Sequence, residues 1–188
     1  MWLRPTIYPI PAPSPVRLSI VARPRGDDWL DDEMAGLRRC GVDILVCLLT
    51  SAERDELGLT GEDAAAARAG IDYHAYPVID RGVPEHAAIR PLIDVLAGDL
   101  ARGRHLAVHC RASIGRSSLL VAALLSRLDV PVDRIWDIIG GARGVPVPET
   151  EEQRRWLDDH HRQAAGGRGI PTSSALSPWA APGAGRPR

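Results

Sequence analysis

The chain is poor in cysteine: Cys40, Cys47 and Cys110 are the only three in 188 residues. Three thiols build no disulfide framework, which excludes a small secreted scaffold held by bridges. An excess of charge of one sign is also lacking. Formal net charge is -1, which argues against bulk binding to nucleic acid or to a membrane surface. No apolar run is long enough to span a bilayer. The N-terminal stretch has no unbroken apolar segment of the signal-peptide kind, being interrupted by Pro5, Pro9, Pro11, Pro13 and Pro15. Internal repeats are absent. The expectation is a cytoplasmic protein with one domain and a sizeable core, in a reducing compartment that suits a reactive thiol.

One stretch organises the rest: His109-Cys110-Arg111-Ala112-Ser113-Ile114-Gly115-Arg116-Ser117. The apolar Leu106-Ala107-Val108 before it fits a buried strand, and the run Leu119 to Leu125 after it fits a buried helix. Between a strand end and a helix start, backbone N–H groups have no intrahelical partner and can point at an anion. The residues Arg111, Ala112, Ser113, Ile114 and Gly115 are enough to curl into a cup with its amides inward. Cys110 at its base is the candidate nucleophile. Only a thiolate attacks, and a helix N-terminus and a nearby cation both favour that form. Arg116 offers a planar fork that matches two phosphate oxygens, which Lys cannot do. Gly115 is expected to relieve the backbone where loop becomes helix. The Ser117 hydroxyl is expected to reach back to the sulfur or to cap the helix.

Residues 1–15 read as a Pro-rich arm with a short edge strand at Ile7 and Tyr8. Residues 16–163 read as the domain. Residues 164–188 read as a disordered tail, because Gly, Pro, Ser and Ala dominate there. Strands are expected at Val16–Val21, Val42–Leu49, Ile71–Val78 and around Leu106–Val108. Helices are expected from an N-cap at Asp27 or Asp28 to Gly41, from Glu53 to Leu57, and from Thr60 and Asp63 to Gly70. Others are expected from Pro84 to about Arg102, from Pro131 to a stop at Gly140-Gly141, and from about Glu149 to His161. Strands alternating with helices imply a single α/β domain with a central, mostly parallel sheet.

The pattern His109-Cys110, five residues, Arg116-Ser117 resembles the signature of the protein tyrosine phosphatase superfamily of cysteine-dependent phosphatases. Every defining position is matched; Ser113 stands where many members have Gly. The resemblance implies the same α/β layout, its sheet flanked by helices on both faces, with the loop at the C-terminal edge of a central strand. It also implies phosphomonoester hydrolysis through a phosphocysteine, with no metal and no other cofactor. No long insertion is present to build a deep pocket, so a compact dual-specificity type is expected. The family's general acid is an Asp on the loop before the nucleophile's strand, and Asp80 fits it. Asp80 also reads as a turn former preparing Gly82. Gln153 either orients the hydrolytic water or, with Thr150, makes a capping box. His109 is expected to order the loop by hydrogen bonding. Arg81 and Arg111 flank the inferred pocket; some lipid-directed relatives have a basic residue after the Cys, as Arg111 is here. The turn Arg25 to Trp29 is expected to act as an N-cap with a packing aromatic. Cys47 reads as a core thiol, with a reversible disulfide to Cys110 as the alternative known in relatives. His160-His161 has no further ligand nearby in sequence, so no metal site is expected. For the substrate, a phosphorylated protein leads. A non-protein phosphate such as a phosphoinositide, and a non-catalytic phosphate-binding module, remain open.

Overall fold

A computed structural model describes residues 4–166. Five strands form one sheet in the order β1-β2-β5-β3-β4. They are β1 (Ile7–Ile10), β2 (Arg17–Val21), β3 (Ile44–Cys47), β4 (Asp72–Ala75) and β5 (His105–His109). Only the β1–β2 pair is antiparallel; the other pairs are parallel. β3 and β5 are buried along their whole length, as continuous apolar strands in a sheet covered on both faces should be.

Helices α1 (Leu30–Arg39) and α3 (Glu62–Arg68) cover one face. There Met34, Leu37 and Ala66 pack with Leu45, Cys47 and Ala107. The other face carries α4 (His86–Ala101), α5 (Arg116–Arg127), α6 (Val132–Arg143) and α7 (Glu151–Gly166). Its core joins Leu106, Val108 and Cys110 to Leu119–Leu125, Ile93, Ile139 and Trp156. The helix α5 is buried from Arg116 to Ser126, which is why its stretch Leu119–Leu125 is apolar on all sides. A short helix, α2 (Ser51–Glu56), follows β3 and is closed by a capping box between Thr50 and Glu53. No helix among the described residues is long and apolar enough to cross a membrane.

Several expected boundaries shift, each for a physical reason. The strands are shorter than their apolar runs, because Leu48 and Leu49 continue into buried loop. Asp27 and Asp28 do not cap α1. They open a 3-10 turn, Asp27–Trp29, in which Asp27 has φ 52° and donates its N–H to the Gly58 carbonyl at 2.8 Å. Trp29 is not packed in the core; it is half exposed, with the Arg25 guanidinium 4.2 Å from its ring centroid. Thr60 does not cap α3, since its hydroxyl bonds Asp55 instead. The pair Gly140-Gly141 does not stop α6, which runs on to Arg143 and ends at Gly144 in the left-handed region, φ 69°. After that turn the chain folds back over Gly140, where a Cβ would stand 3.4 Å from the Val145 carbonyl oxygen. There the glycine permits a close approach rather than a helix stop. Helix α7 reaches Gly166, past the expected end of the domain; residues 167–188 of the expected tail lie outside the described residues.

Candidate active site

β5 ends at His109 and α5 begins at Arg116, so Cys110 to Gly115 form the turn between them. Cys110 is only 2 % exposed. The period-two alternation of a strand separates neighbours. Cys110 joins the core under α5, whereas His109 meets α3 on the opposite face. Ser113 has φ 56°, a conformation that Gly adopts freely and other residues do not. Its cost is met by two bonds. Ser113 Oγ donates to the Val21 carbonyl at 2.6 Å, and Arg143 Nε donates to the Ser113 carbonyl at 2.7 Å. The Arg143 guanidinium in turn lies 3.7 Å from the Tyr8 ring centroid, so α6 and β1 both brace the loop. Gly115 has an ordinary φ of -80°. It supplies space, not backbone freedom: a Cβ there would stand 2.2 Å from Glu149 Oε2 and 3.1 Å from Gln153 Nε2. Ser117 lies inside α5, whose N-cap position is Gly115, so it does not cap the helix. Its hydroxyl is buried and has no hydrogen-bond partner among the described residues. Ile114 packs on the core, while Ala112 and Arg111 are exposed. Arg111 makes a two-bond ion pair with Glu56 at the end of α2, at 2.6 and 2.9 Å. In solvent such a pair adds little stability, but it ties the rim of the loop to α2.

Arg116 is the largest fully buried side chain of the fold. Its two terminal nitrogens donate to the two oxygens of Glu53, at 2.7 and 2.8 Å. Nη1 also donates to the Val78 carbonyl at 2.9 Å, and Nη2 lies 2.9 Å from Asp80 Oδ1. These bonds engage both ends of the fork and not Nε. A buried guanidinium is costly unless paired. Burial disfavours the Arg116 cation, but Glu53, the nearby Cys110 and Asp80 outweigh it and hold Arg116 above its usual range. The hydrogen bond from Arg116 in return brings Glu53 down to about 2. Glu53 is therefore the residue that aims Arg116. Sequence reading placed it only at the start of a short helix. In Ser51-Ala52-Glu53-Arg54-Asp55-Glu56 it looks like one charge of a solvated face, and no local signal sets it apart.

Asp80 sits on the turn after Val78, with its side chain 59 % exposed. The Gly82 N–H closes this turn on the Ile79 carbonyl at 2.9 Å. The left-handed residue in it is Arg81, φ 61°, and Asp80 lies inside the turn that Gly82 closes. Two residues of α7 hold the far side of the turn. Gln153 Nε2 donates to the Gly82 carbonyl at 3.3 Å, and Trp156 Nε1 donates to the Pro84 carbonyl at 2.6 Å. Gln153 is fully buried. Its N–H donates to Thr150 Oγ1, and its Oε1 accepts from the Glu149 N–H. It thus serves as a capping residue and also links the Asp80 turn to Gly115 of the Cys110 loop.

Beneath Cys110 lies a second buried polar group. His109 Nε2 is 2.9 Å from Glu62 Oε1, and neither side chain is exposed. Tyr73 donates its hydroxyl to Glu62 Oε2 at 2.9 Å. Ligand atoms of Cys47, Glu62 and His109 lie within 4.8 Å of one another. Burial, which disfavours a charged ring, is outweighed chiefly by Glu62, and His109 is held well above its usual range. Cys47 and Cys110 are both free and buried, on opposite faces of the sheet.

A parallel-centred sheet between two helical layers, with this Cys-to-Arg loop at the end of its middle strand, defines a member of the protein tyrosine phosphatase superfamily. Solved structures carry the same fold. Kinase-associated phosphatase, with its catalytic-site cysteine replaced by serine, gives a TM-score of 0.76 at 20 % identity, covering 88 % of this chain and 98 % of that one. Tk-PTP in its active form gives 0.70 at 20 %, covering 87 % and 99 %. PTPMT1 in complex with PI(5)P gives 0.67 at 19 %, covering 80 % and 94 %. Residues 28–134 match the family model of cyclin-dependent kinase inhibitor 3 (CDKN3), and the chain belongs to that family. Cyclin-dependent kinase inhibitor 3 of Homo sapiens is 25 % identical over 131 residues, 69 % of this chain and 62 % of that protein. The Sus scrofa protein is 26 % identical over the same length. The chain spans about three fifths of the length of these curated relatives.

Proposed function

We propose that this chain hydrolyses phosphomonoesters through a phosphocysteine on Cys110, acting on phosphorylated proteins as a tyrosine or dual-specificity phosphatase. The observation that carries this reading is the meeting of three groups at one point. The Cys110 loop opens onto Arg116, and Asp80, from a separate turn, reaches Arg116 at 2.9 Å. The name of the kinase-associated phosphatase supports a phosphorylated protein as the substrate class.

In this mechanism the phosphate enters the cup formed by Arg111 to Gly115. Its oxygens take loop amides and the Arg116 fork, and Asp80 gives up its place on Nη2. The Cys110 thiolate attacks phosphorus, and the bond to the ester oxygen breaks as Asp80 gives that oxygen its proton. Asp80 then takes a proton from water. That water attacks phosphorus, phosphate leaves and the thiolate returns. Arg116 and the amides favour the transition state because its equatorial oxygens fit them best. Gln153 and His109 support the loop, the first from α7 and the second from below.

Asp80→Asn tests the acid. An acidic nitrophenol departs almost unaided, whereas phosphotyrosine needs a proton. The loss should be small on the nitrophenyl ester and roughly 10²–10⁴-fold on phosphotyrosine. The alkaline limb of the pH–rate profile should flatten, since that limb reports loss of the acid's proton. An equal loss on both esters would reduce Asp80 to a structural role.

A further inference from the structure

The mechanism above leaves one buried ionised group unused. Glu62, at the start of α3, is completely buried on the face of the sheet opposite α5. A buried carboxylate is costly, and most folds avoid one unless it is paired. Here Oε2 accepts a hydrogen bond from the Tyr73 hydroxyl at 2.9 Å, while Oε1 stands in ion-pair contact with His109 Nε2 at 2.9 Å without hydrogen-bond alignment. The other nitrogen of the His109 ring, Nδ1, lies 3.4 Å from the carbonyl oxygen of Cys110. Cys110 Sγ belongs to the opposite core, so this contact reaches the nucleophile's backbone and not its sulfur.

We propose that Glu62 is a positioning residue for Cys110. It acts through His109, which turns the Cys110 carbonyl down toward α3 and so keeps the start of the anion cup in place. With both ring nitrogens protonated, the ring carries a charge that faces the Glu62 carboxylate at 2.9 Å, and Nδ1 points its N–H at the Cys110 carbonyl. A neutral ring has one N–H and serves one of these partners only. Glu62 holds the ring in its doubly protonated form. Burial alone would favour a neutral carboxyl, but His109 first, then Tyr73 and Cys47, keep Glu62 below its usual range. The charged and titratable groups facing this pair come from every neighbouring element. They are Cys47 on β3, Tyr73 on β4 and Arg54 on α2, the last beside the Tyr73 hydroxyl. Burial and the Glu62 charge push the Tyr73 phenol up, so it stays a neutral donor. Tyr73 and Arg54 also line a surface cleft of about 760 Å³ next to α3 and β4. The network therefore runs from solvent to the base of the loop, on the side away from substrate.

This proposal rests on Cys110 being the nucleophile, and the test separates the two claims. Cys110 and the exposed Cys40 are labelled with iodoacetamide between pH 5 and 8 in the full chain, and each is followed by peptide mass spectrometry. If wild-type Cys110 reacts at pH 6 no faster than Cys40, its assignment as nucleophile fails. If it reacts faster, Glu62→Gln decides the role of Glu62. The expected result is labelling of Cys110 at pH 6 slowed about tenfold, a similar fall in kcat and little change in KM. An unchanged labelling profile and kcat in a folded Glu62→Gln protein would overturn the proposal, even if its thermal stability fell. Should Glu62→Gln not fold, Tyr73→Phe removes one bond to Glu62 and keeps the ion pair. It should slow labelling by about threefold in the same pH range. No change in Tyr73→Phe would then overturn the proposal.

Discussion

Cys110→Ser should abolish turnover, by about 10⁴-fold or more, while phosphate or vanadate still binds. Oxygen replaces sulfur at a 2 % exposed position with almost no change of shape. The loop bonds from Ser113 and Arg143 do not involve the sulfur, so the cup survives. A serine hydroxyl stays protonated where a thiol can ionise, so attack on phosphorus fails. Calorimetric titration with vanadate measures the cup, and phosphate release measures the chemistry. Hydrolysis that persists in a clean Cys110→Ser preparation would remove the covalent route. A chelator should leave the wild type unchanged. Loss of activity restored by a divalent ion would indicate a metal phosphatase.

Arg116→Lys should be nearly as severe, with kcat lower by roughly 10²–10³-fold and weaker anion binding. The charge remains, but one ammonium cannot reproduce a fork that now holds Glu53 at two points and Asp80 at a third. Glu53→Gln should fall in the same direction by less, because Arg116 keeps its charge and its bond to the Val78 carbonyl. The pair also sets a pH dependence. Arg116 first, then the Thr50 N–H and hydroxyl, lower Glu53 from the usual 4.5 to about 2. A depressed carboxylate stabilises the fold fully above pH 4.5 and loses that contribution as pH falls toward 2. The stability gap between wild type and Arg116→Lys should therefore be widest near neutrality and close below pH 4.5, read by denaturant unfolding across pH. Near-normal kinetics in Arg116→Lys would make Arg116 a bystander.

The strand, turn and helix around Cys110 were legible because they are contiguous in sequence. Apolar strand, short loop and apolar helix follow one another in sequence, and the loop's residue types carry their reasons with them. The α/β layering was legible too, since strands buried on both faces read as continuous apolar runs. What could not be read was anything that depends on distant elements meeting. Glu53 reaches Arg116 across 63 positions, and Glu62 reaches His109 from α3. Both sit among other charges, where a solvated side chain looks the same. Arg143 follows two glycines that read as a helix stop, so its bond to Ser113 was hidden by a misplaced boundary. Gly115 was noticed for the wrong property. Its backbone is ordinary, and the need for a glycine comes from Gln153 on α7 and Glu149 in the turn before it. In each case a local rule was applied to a residue whose constraint is tertiary.

The stereochemical course at phosphorus tests the covalent mechanism most directly. A phosphate ester made chiral with oxygen isotopes would be hydrolysed by the wild-type chain, and the configuration of the released phosphate determined. Two in-line displacements, first by Cys110 and then by water, predict retention. Inversion would mean a single attack by water and would contradict the phosphocysteine.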